Sequence, residues 1–198
     1  MAEGTETTQF SVVDAAGNAV ATTTTLNELY GSGVYVSSAG FFLNDEMDDF
    51  TVKSGSPNTY GLIQGERNSI APGKRMLSAM APTIVLDPAG QLLLVLGAHG
   101  GPRIITSVSQ VIRNVIDLRM SLSDAVNAPR IHHQARPDSL KYDSAGYADE
   151  TLAELRSMGY ALKPMSYIGA SVTAIMRVRG GYEGADDPRG KGGGAIGY

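Results

Sequence analysis

A threonine pair, Thr7-Thr8, stands directly before the first β-strand that the sequence predicts. The hydroxyl of threonine is a poor nucleophile unless a base removes its proton. When a threonine is the first residue of a chain, its own α-amine, with an ordinary pKa of about 7.7–8.0, can serve as that base. Here Thr7 follows six other residues, so its amine is part of a peptide bond. Composition alone therefore leaves two interpretations, a masked nucleophile or, as the commoner case, an ordinary strand-entry threonine.

A glycine-rich segment, residues 97–102 (GAHGGP), connects an apolar strand to a predicted helix. Adjacent glycines permit close approach of the backbone, and the free N–H groups at a helix start favour negative charge. Such a segment can form an oxyanion hole for a tetrahedral intermediate, or it can be only a tight strand-to-helix turn. Its spacing does not fit the Walker or the dinucleotide-binding glycine motif.

An acidic cluster, residues 44–49 (NDEMDD), carries several carboxylates in a short segment. It lacks the alternating ligands of a calcium-binding EF-hand loop, although calcium binding stays possible. It can also grip an ammonium group, or it can be a solvated loop, which is the most common case. The histidines His99, His132 and His133 show no metal-ligand spacing, and we interpret His132 and His133 as structural. The histidines therefore predict no metal site.

Composition narrows the classes of protein. The 198 residues suffice for about one domain, with 16 basic and 20 acidic residues, no basic stripe and no cysteine. These features disfavour nucleic-acid binding and exclude disulfides, thiol catalysis and cysteine-ligated zinc. The N-terminus is acidic and polar, which is unlike a signal peptide. Charged residues make up only 18%, against roughly 25% in a typical domain, which suggests that less of the surface than usual faces water.

The elements that must position these residues are predicted from periodicity. An N-terminal hairpin turns at residues 14–18, and a long loop follows over 27–75. A second hairpin pairs residues 83–86 with 91–96, and its second arm is apolar on both faces. Helices are predicted from about 104 to 119 and from 149 to 158. A strand over 171–179, a glycine turn at residues 180–181 and a glycine-rich tail follow. This order indicates an α+β fold with helices stacked on sheets.

Taken in order, these segments resemble the small subunit of gamma-glutamyltranspeptidase, a member of the N-terminal-nucleophile hydrolase superfamily. The resemblance covers essentially the whole chain from Thr5 onward. It rests on residues 7–14 (TTQFSVVD), 25–27 (TLN), 43–50 (LNDEMDDF), 75–84 (RMLSAMAPTI), 100–105 (GGPRII), 127–134 (NAPRIHHQ), 187–189 (DPR) and 197–198 (GY). It implies a four-layer αββα sandwich, of which this chain is the small-subunit half.

The resemblance also implies a catalytic set. In the family a precursor cleaves itself before a threonine, which then acts as nucleophile and, through its new amine, as base; Thr7 matches that residue. Thr25 matches a threonine that hydrogen-bonds the nucleophile, and Gly100 and Gly101 match the oxyanion-hole pair. Residues 1–6 are then a residual pre-cleavage segment or an extension, and 7–198 form the small-subunit-like domain.

A second implied set binds the substrate. Asn27, Glu46 and Asp49 match positions that hold the α-amino and α-carboxylate ends of a γ-glutamyl group, and carboxylates suit a protonated amine. Ser78 matches one of two adjacent serines that bind the α-carboxylate. Tyr60 lies where some members of the family have a tyrosine that closes a lid over the substrate pocket. One departure is Ala79, which stands where the second serine is expected and removes a hydrogen bond to the carboxylate.

The expected activity is hydrolysis and transfer of the γ-glutamyl group of glutathione and related amides, without a cofactor. Its expected partners are a small γ-glutamyl substrate and a large subunit that supplies an arginine and half of the sandwich. Two alternatives stay open: an acylase for another acyl amide, such as a glutaryl-lactam, and an isolated or unprocessed inactive subunit that self-associates. The family's typical location predicts a periplasmic or secreted protein. An isolated chain should expose an apolar patch or cover it by self-association.

Overall fold

The computed structural model describes residues 7–190 and 192–197, so the predicted pre-cleavage segment lies outside the described residues. The chain begins with the predicted antiparallel hairpin, formed by β1 (Thr7–Val13) and β2 (Ala19–Thr25). Asp14 closes the turn, since its carboxylate accepts hydrogen bonds from two backbone N–H groups at 2.9 and 2.8 Å. The register places Thr7 directly opposite Thr25, at the open end of the hairpin.

A four-stranded antiparallel sheet forms the centre of the molecule. Its strand order is β11-β10-β6-β5, with β5 at Thr83–Leu86, β6 at Leu92–His99, β10 at Ser171–Val178 and β11 at Gly181–Asp186. The predicted second hairpin and the predicted last strand are confirmed. The prediction of a glycine-rich tail after a turn at residues 180–181 was wrong, because β11 pairs along most of β10. Two glycines, Gly181 at the start and Gly184 in the interior of β11, hid this strand from a propensity argument.

The central strand β6 is covered on both faces, as its apolar sequence predicted. Leu94, Leu96 and Ala98 project into the core, which also contains apolar residues of the helices described below. The alternate residues Val95 and Gly97 are also buried and project toward the β1–β2 hairpin, because side chains alternate along a strand. The hairpin packs on β6 and β5. The order of layers is therefore helix, sheet and hairpin.

Two helices pack on the face of the sheet that lies opposite the hairpin. Helix α1 (Arg103–Ile116) begins directly after the glycine-rich segment, and α2 (Leu122–Asn127) is capped by Ser121, whose hydroxyl accepts from the N–H of Asp124. The predicted end of α1 near Arg119 was about one turn too late, because Arg119 itself adopts a left-handed φ of 57°. Among the residues that the structure describes, no helix is long and apolar enough to cross a membrane.

A smaller unit follows α2. It contains a three-stranded sheet of β7 (Ile131–His132), β8 (Leu140–Asp143) and β9 (Leu162–Met165), in which β8 and β9 run parallel. Helix α3 (Asp149–Ser157) connects β8 to β9, which confirms the second predicted helix to within one residue. The sequence did not predict the three short strands.

The predicted long loop over 27–75 contains only short elements. These are the strands β3 (Tyr35–Val36) and β4 (Phe41–Phe42), and two 3₁₀ helices at Glu46–Asp49 and Glu66–Asn68. The first 3₁₀ helix carries most of the acidic cluster. The loop therefore supplies side chains to the candidate active site, and the sheet and the hairpin hold the loop in place.

Candidate active site

Two threonine hydroxyls meet at the open end of the hairpin. Thr7 Oγ1 donates a hydrogen bond to Thr25 Oγ1 at 3.0 Å, and Thr25 Oγ1 also accepts from the backbone N–H of Asn27 at 2.9 Å. The antiparallel register makes this meeting possible, because it sets the two residues opposite one another. Thr25 thus holds the Thr7 hydroxyl in a fixed direction.

Asn27 links the hairpin to the long loop. It is buried and has a φ of 72°, a conformation that asparagine tolerates better than most residues. Its side-chain Nδ2 donates to the carbonyl of Asp45 at 3.1 Å, and its own carbonyl accepts from the hydroxyl of Tyr60 at 3.1 Å. The hydrogen-bonding groups of this one residue therefore connect the threonine pair, the start of the acidic 3₁₀ helix at its preceding residue Asp45, and the tyrosine.

Glu46 and Asp49 lie together in the acidic 3₁₀ helix. Burial, a hydrogen bond with Asp49 and the charges of Asp49 and Asp45 together raise the pKa of Glu46 to about 7, and burial is the largest of these causes. Burial also raises the pKa of Asp49, although its hydrogen bond with Glu46 acts in the opposite direction. Glu46 Oε1 is buried, and no other described residue hydrogen-bonds it. Near neutral pH the pair therefore shares a proton, and a ligand ammonium can take the place of that proton.

The glycine-rich segment has two interpretations from the sequence, an oxyanion hole and a tight strand-to-helix turn. Gly100 is buried at a φ of 134°, where a Cβ would come within 2.6 Å of the Gly169 carbonyl oxygen and 2.7 Å of Ala170. Gly101 has a φ of 58°, and a Cβ there would lie 3.0 Å from the ring of Tyr60. Both positions thus need glycine to make a tight strand-to-helix turn. The same turn places Gly101 at the site, so the two interpretations are compatible.

A solvent-open cleft brings the predicted residues together. Eight of the nine predicted site residues line it: Thr7, Thr25, Asn27, Glu46, Asp49, Tyr60, Ser78 and Gly101. The ninth, Gly100, is buried beside Gly169 and Ala170 and does not line the cleft. Ser78 is exposed, and its hydroxyl accepts from the N–H of Met80 at 3.2 Å, which leaves its own proton available to a ligand.

The sequence analysis missed an apolar wall of this cleft. Besides Ala79, its members are Leu62, Leu77, Met80, Pro102 and Ile104. Their only sequence signal is that most of them lie within two residues of Ser78 or Gly101, which is too weak to identify them. No lysine or arginine among the described residues lines the cleft. A ligand carboxylate therefore finds hydroxyl groups here but no cation from the described part of this chain.

The histidines lie apart from this cleft. His132 is buried, and its ring nitrogens bond Thr106 Oγ1 at 2.9 Å and Gln134 Oε1 at 2.8 Å. Burial lowers its pKa, so a neutral, structural His132 agrees with the prediction. No group of three histidine, aspartate or glutamate side chains in residues 7–190 and 192–197 is arranged to hold a metal ion.

Comparison with known proteins decides the family. The sequence model described as gamma-glutamyltranspeptidase matches residues 1–197. The chain belongs to the gamma-glutamyltranspeptidase family. A glutathione hydrolase proenzyme of Pseudomonas aeruginosa is 49% identical over 194 residues, which cover 96% of this chain and 34% of that protein. The chain thus spans about a third of the length of the curated relatives that it matches first.

Solved structures of gamma-glutamyltranspeptidases share the fold. A mutant of the Helicobacter pylori enzyme superposes with a TM-score of 0.87 at 46% identity, covering 92% of this chain and all, 100%, of that chain. The Pseudomonas nitroreducens enzyme complexed with L-DON gives 0.86 at 47% identity, covering 96% and 100%. These likenesses confirm the α+β fold of the N-terminal-nucleophile hydrolase type for this gamma-glutamyltranspeptidase-family chain.

Proposed function

We propose that this chain is the nucleophile-bearing subunit of an enzyme that hydrolyses and transfers γ-glutamyl groups, glutathione being one substrate. The proposal is carried by one observation: the Thr7–Thr25 hydroxyl pair and the Glu46–Asp49 carboxyl pair line the same cleft. The first pair suits attack on an acyl carbon, and the second suits recognition of an α-ammonium group. A γ-glutamyl amide contains both groups in one molecule.

In the proposed reaction, the Thr7 hydroxyl attacks the γ-carbonyl carbon while its α-amine takes the hydroxyl proton. The N–H groups of Gly100 and Gly101 stabilise the oxyanion. The C–N bond then breaks, the leaving amine receives the proton, and a γ-glutamyl ester stays on Thr7. Water or an acceptor amine attacks this ester, releases the glutamyl product and restores the Thr7 hydroxyl. Thr25 keeps the hydroxyl directed toward the carbonyl.

Cleavage before Thr7 is part of the proposal, because the base is the amine of that residue. In the sequence this amine is bonded to Glu6. Once it is free, its ordinary pKa of about 7.7–8.0 allows it to accept a proton near neutral pH. Intact mass measurement of the active protein is expected to give a chain that begins at Thr7.

The proposal includes a large subunit from the same precursor. It is supported by the length of the relatives, of which this chain covers about a third. It is also supported by the outer face of the hairpin, where Phe10, Val12 and Val20 are about half exposed, at 48%, 49% and 52%. The missing cation for a ligand carboxylate is a third reason, since the large subunit is expected to supply it. A periplasmic or secreted location remains a prediction from the family resemblance.

The test compares two neighbouring threonines. Thr7→Ala is expected to abolish release of the chromophore from a γ-glutamyl anilide by the complex of this chain with its large subunit. Thr8→Ala is the matched control, since Thr8 is exposed on the opposite face of β1, and it is expected to keep activity. Turnover by Thr7→Ala, or no turnover when Thr7 is confirmed as the first residue, would overturn the proposal.

A further inference from the structure

The inner face of the hairpin carries a second polar rung beside the threonine pair. Gln9 and Thr23 lie opposite one another, two residues from Thr7 and Thr25 on the same face of β1 and β2. The Thr23 hydroxyl donates to Gln9 Oε1. Gln9 Nε2 donates to the carbonyl of Phe10 at 3.1 Å. Both ends of the Gln9 amide are thus hydrogen-bonded, and the side chain has a single orientation.

Gln9 is also the contact point between the hairpin and the central sheet. It is 7% exposed, and its carboxamide lies directly against Gly97 of β6. A Cβ at Gly97 would overlap three atoms of that carboxamide. The φ of Gly97 lies outside the left-handed region, so the backbone conformation does not demand glycine here. The need for glycine at this position is therefore steric, and Gln9 is its cause.

Strand β6 is the strand that leads into the glycine-rich segment. Gly97 is three residues before Gly100, and Gln9 is two residues after Thr7. The contact between Gln9 and Gly97 is therefore a short, direct connection between the strand of the hydroxyl and the strand of the oxyanion donors. Because a strand rises only about 3.3 Å per residue, a shift at this contact is transmitted to both.

We propose that Gln9 is a positioning residue: its amide, held by Thr23 and seated on Gly97, sets the separation of Thr7 from the Gly100–Gly101 turn. The inference rests on the proposed function, in which Thr7 is the nucleophile. A misplacement of reacting groups by about 1 Å can lower a rate by about 100-fold. Gln9 does not line the cleft, so ligand binding should be affected much less than the chemical step.

A double-mutant cycle tests the contact in the assembled enzyme. Gln9→Ala and Gly97→Ala are each expected to lower kcat for a γ-glutamyl anilide by about 10- to 100-fold, with KM changed less than about threefold. In the Gln9→Ala background the Cβ of Ala at position 97 meets no carboxamide. The double variant is therefore expected to be as active as Gln9→Ala alone, within about twofold. Independent effects that multiply would overturn the inference.

Thr23→Val provides a second test that keeps the side-chain volume and removes only the hydroxyl that orients Gln9. Its matched control is Thr24→Val on the exposed face of the same strand. The expected result is a lower rate of covalent labelling of Thr7 by an electrophilic glutamine analogue, per titrated active site, for Thr23→Val only. Equal labelling rates in wild type and Thr23→Val would overturn the inference, even if the melting temperature fell.

The same measurements separate the two levels of the argument. Thr7→Ala is included in each series and is expected to show neither turnover nor labelling. If Thr7→Ala is active, the proposed function fails. If Thr7→Ala is inactive while Gln9→Ala keeps wild-type kcat, only the positioning role of Gln9 fails.

Discussion

The shared proton of Glu46 and Asp49 predicts a pH dependence of ligand binding. In the ligand-free cleft the pKa of Glu46 is about 7, so about half of the molecules hold the extra proton at pH 7. An α-ammonium group binds best to the fully ionised pair. Competition with the proton then weakens the affinity by a factor of 1 + 10^(pKa − pH), where the pKa is that of Glu46. This factor is about 11 at pH 6 and about 1.1 at pH 8.

The dissociation constant of L-glutamate is therefore expected to rise about tenfold when the pH falls from 8 to 6. Isothermal titration calorimetry on the assembled enzyme measures it, and glutarate controls for the ionisation of the Thr7 amine, which affects both ligands. Glutarate, which has the same carboxylates and no ammonium, should not bind more weakly at pH 6. The two ligands thus also separate a γ-glutamyl site from a site for other dicarboxylic acyl groups.

Two variants and a control make this prediction specific. Glu46→Gln should abolish the pH dependence between 6 and 8, and Asp49→Asn should move it below pH 7, since the charge of Asp49 helps to raise the pKa of Glu46. Asp117→Asn, at a half-exposed ion pair on the end of α1, should behave like wild type. A flat wild-type profile, or a tenfold dependence that survives in Glu46→Gln, would refute the reasoning.

Without ligand, the free energy of unfolding should fall as the pH rises from about 4.5 to 7, because the Glu46 carboxyl keeps its proton to a higher pH in the folded state than in the unfolded state.

Three further predictions concern the threonine pair, the turn and the apolar wall. Thr25→Val removes the acceptor of the hydrogen bond from the Thr7 hydroxyl. It should lower kcat in the anilide assay by about 5- to 150-fold, the equivalent of about 1–3 kcal/mol, and an equal loss in Thr24→Val would contradict this. Gly101→Ala should lower the free energy of unfolding by about 1–2 kcal/mol because of its φ alone, and the added Cβ should also displace the Tyr60 ring. Denaturant unfolding should therefore show a lower stability, and turnover should fall. Unchanged values of both would count against the turn geometry. Ala79→Ser should lower the dissociation constant of L-glutamate by about 10- to 100-fold, because the new hydroxyl would reach the α-carboxylate. An unchanged dissociation constant in a glutamate titration would mean that position 79 does not face that group.

The sequence predicted the parts of the fold with strong local signals. The first hairpin has a turn closed by Asp14, and α1 follows a glycine pair, so both were found close to their true bounds. The strands β7 to β9 are only two to four residues long, which is too short for a period of two to be recognised. Strand β11 contains two glycines and was interpreted as a tail, yet pairing with β10 outweighs their low propensity.

The site was predictable as a set of residues but not as an arrangement. The order of the motifs identified nine positions, and eight of them line one cleft. The raised pKa of Glu46 was not predictable, because it depends on burial by the surrounding loop rather than on residue type. Gln9 was also missed as a candidate: in the sequence it is a polar residue in a strand, and its importance follows from the absence of a side chain at Gly97, 88 positions away.

Asn27 explains why binding and chemistry in this cleft should depend on one another. Its backbone N–H donates to the Thr25 hydroxyl, its side chain donates to the carbonyl of Asp45 directly before the acidic 3₁₀ helix, and its carbonyl accepts from the Tyr60 hydroxyl. The left-handed φ of 72° turns these groups in different directions, which an extended residue would not do. A ligand whose ammonium group binds the carboxyl pair therefore acts on a 3₁₀ helix whose preceding residue, Asp45, is linked through the buried Asn27 to Thr25, the acceptor of the Thr7 hydrogen bond. Occupancy of the ammonium site and orientation of Thr7 are thus parts of one hydrogen-bonded structure, so a substrate that lacks the ammonium group should lose rate as well as affinity.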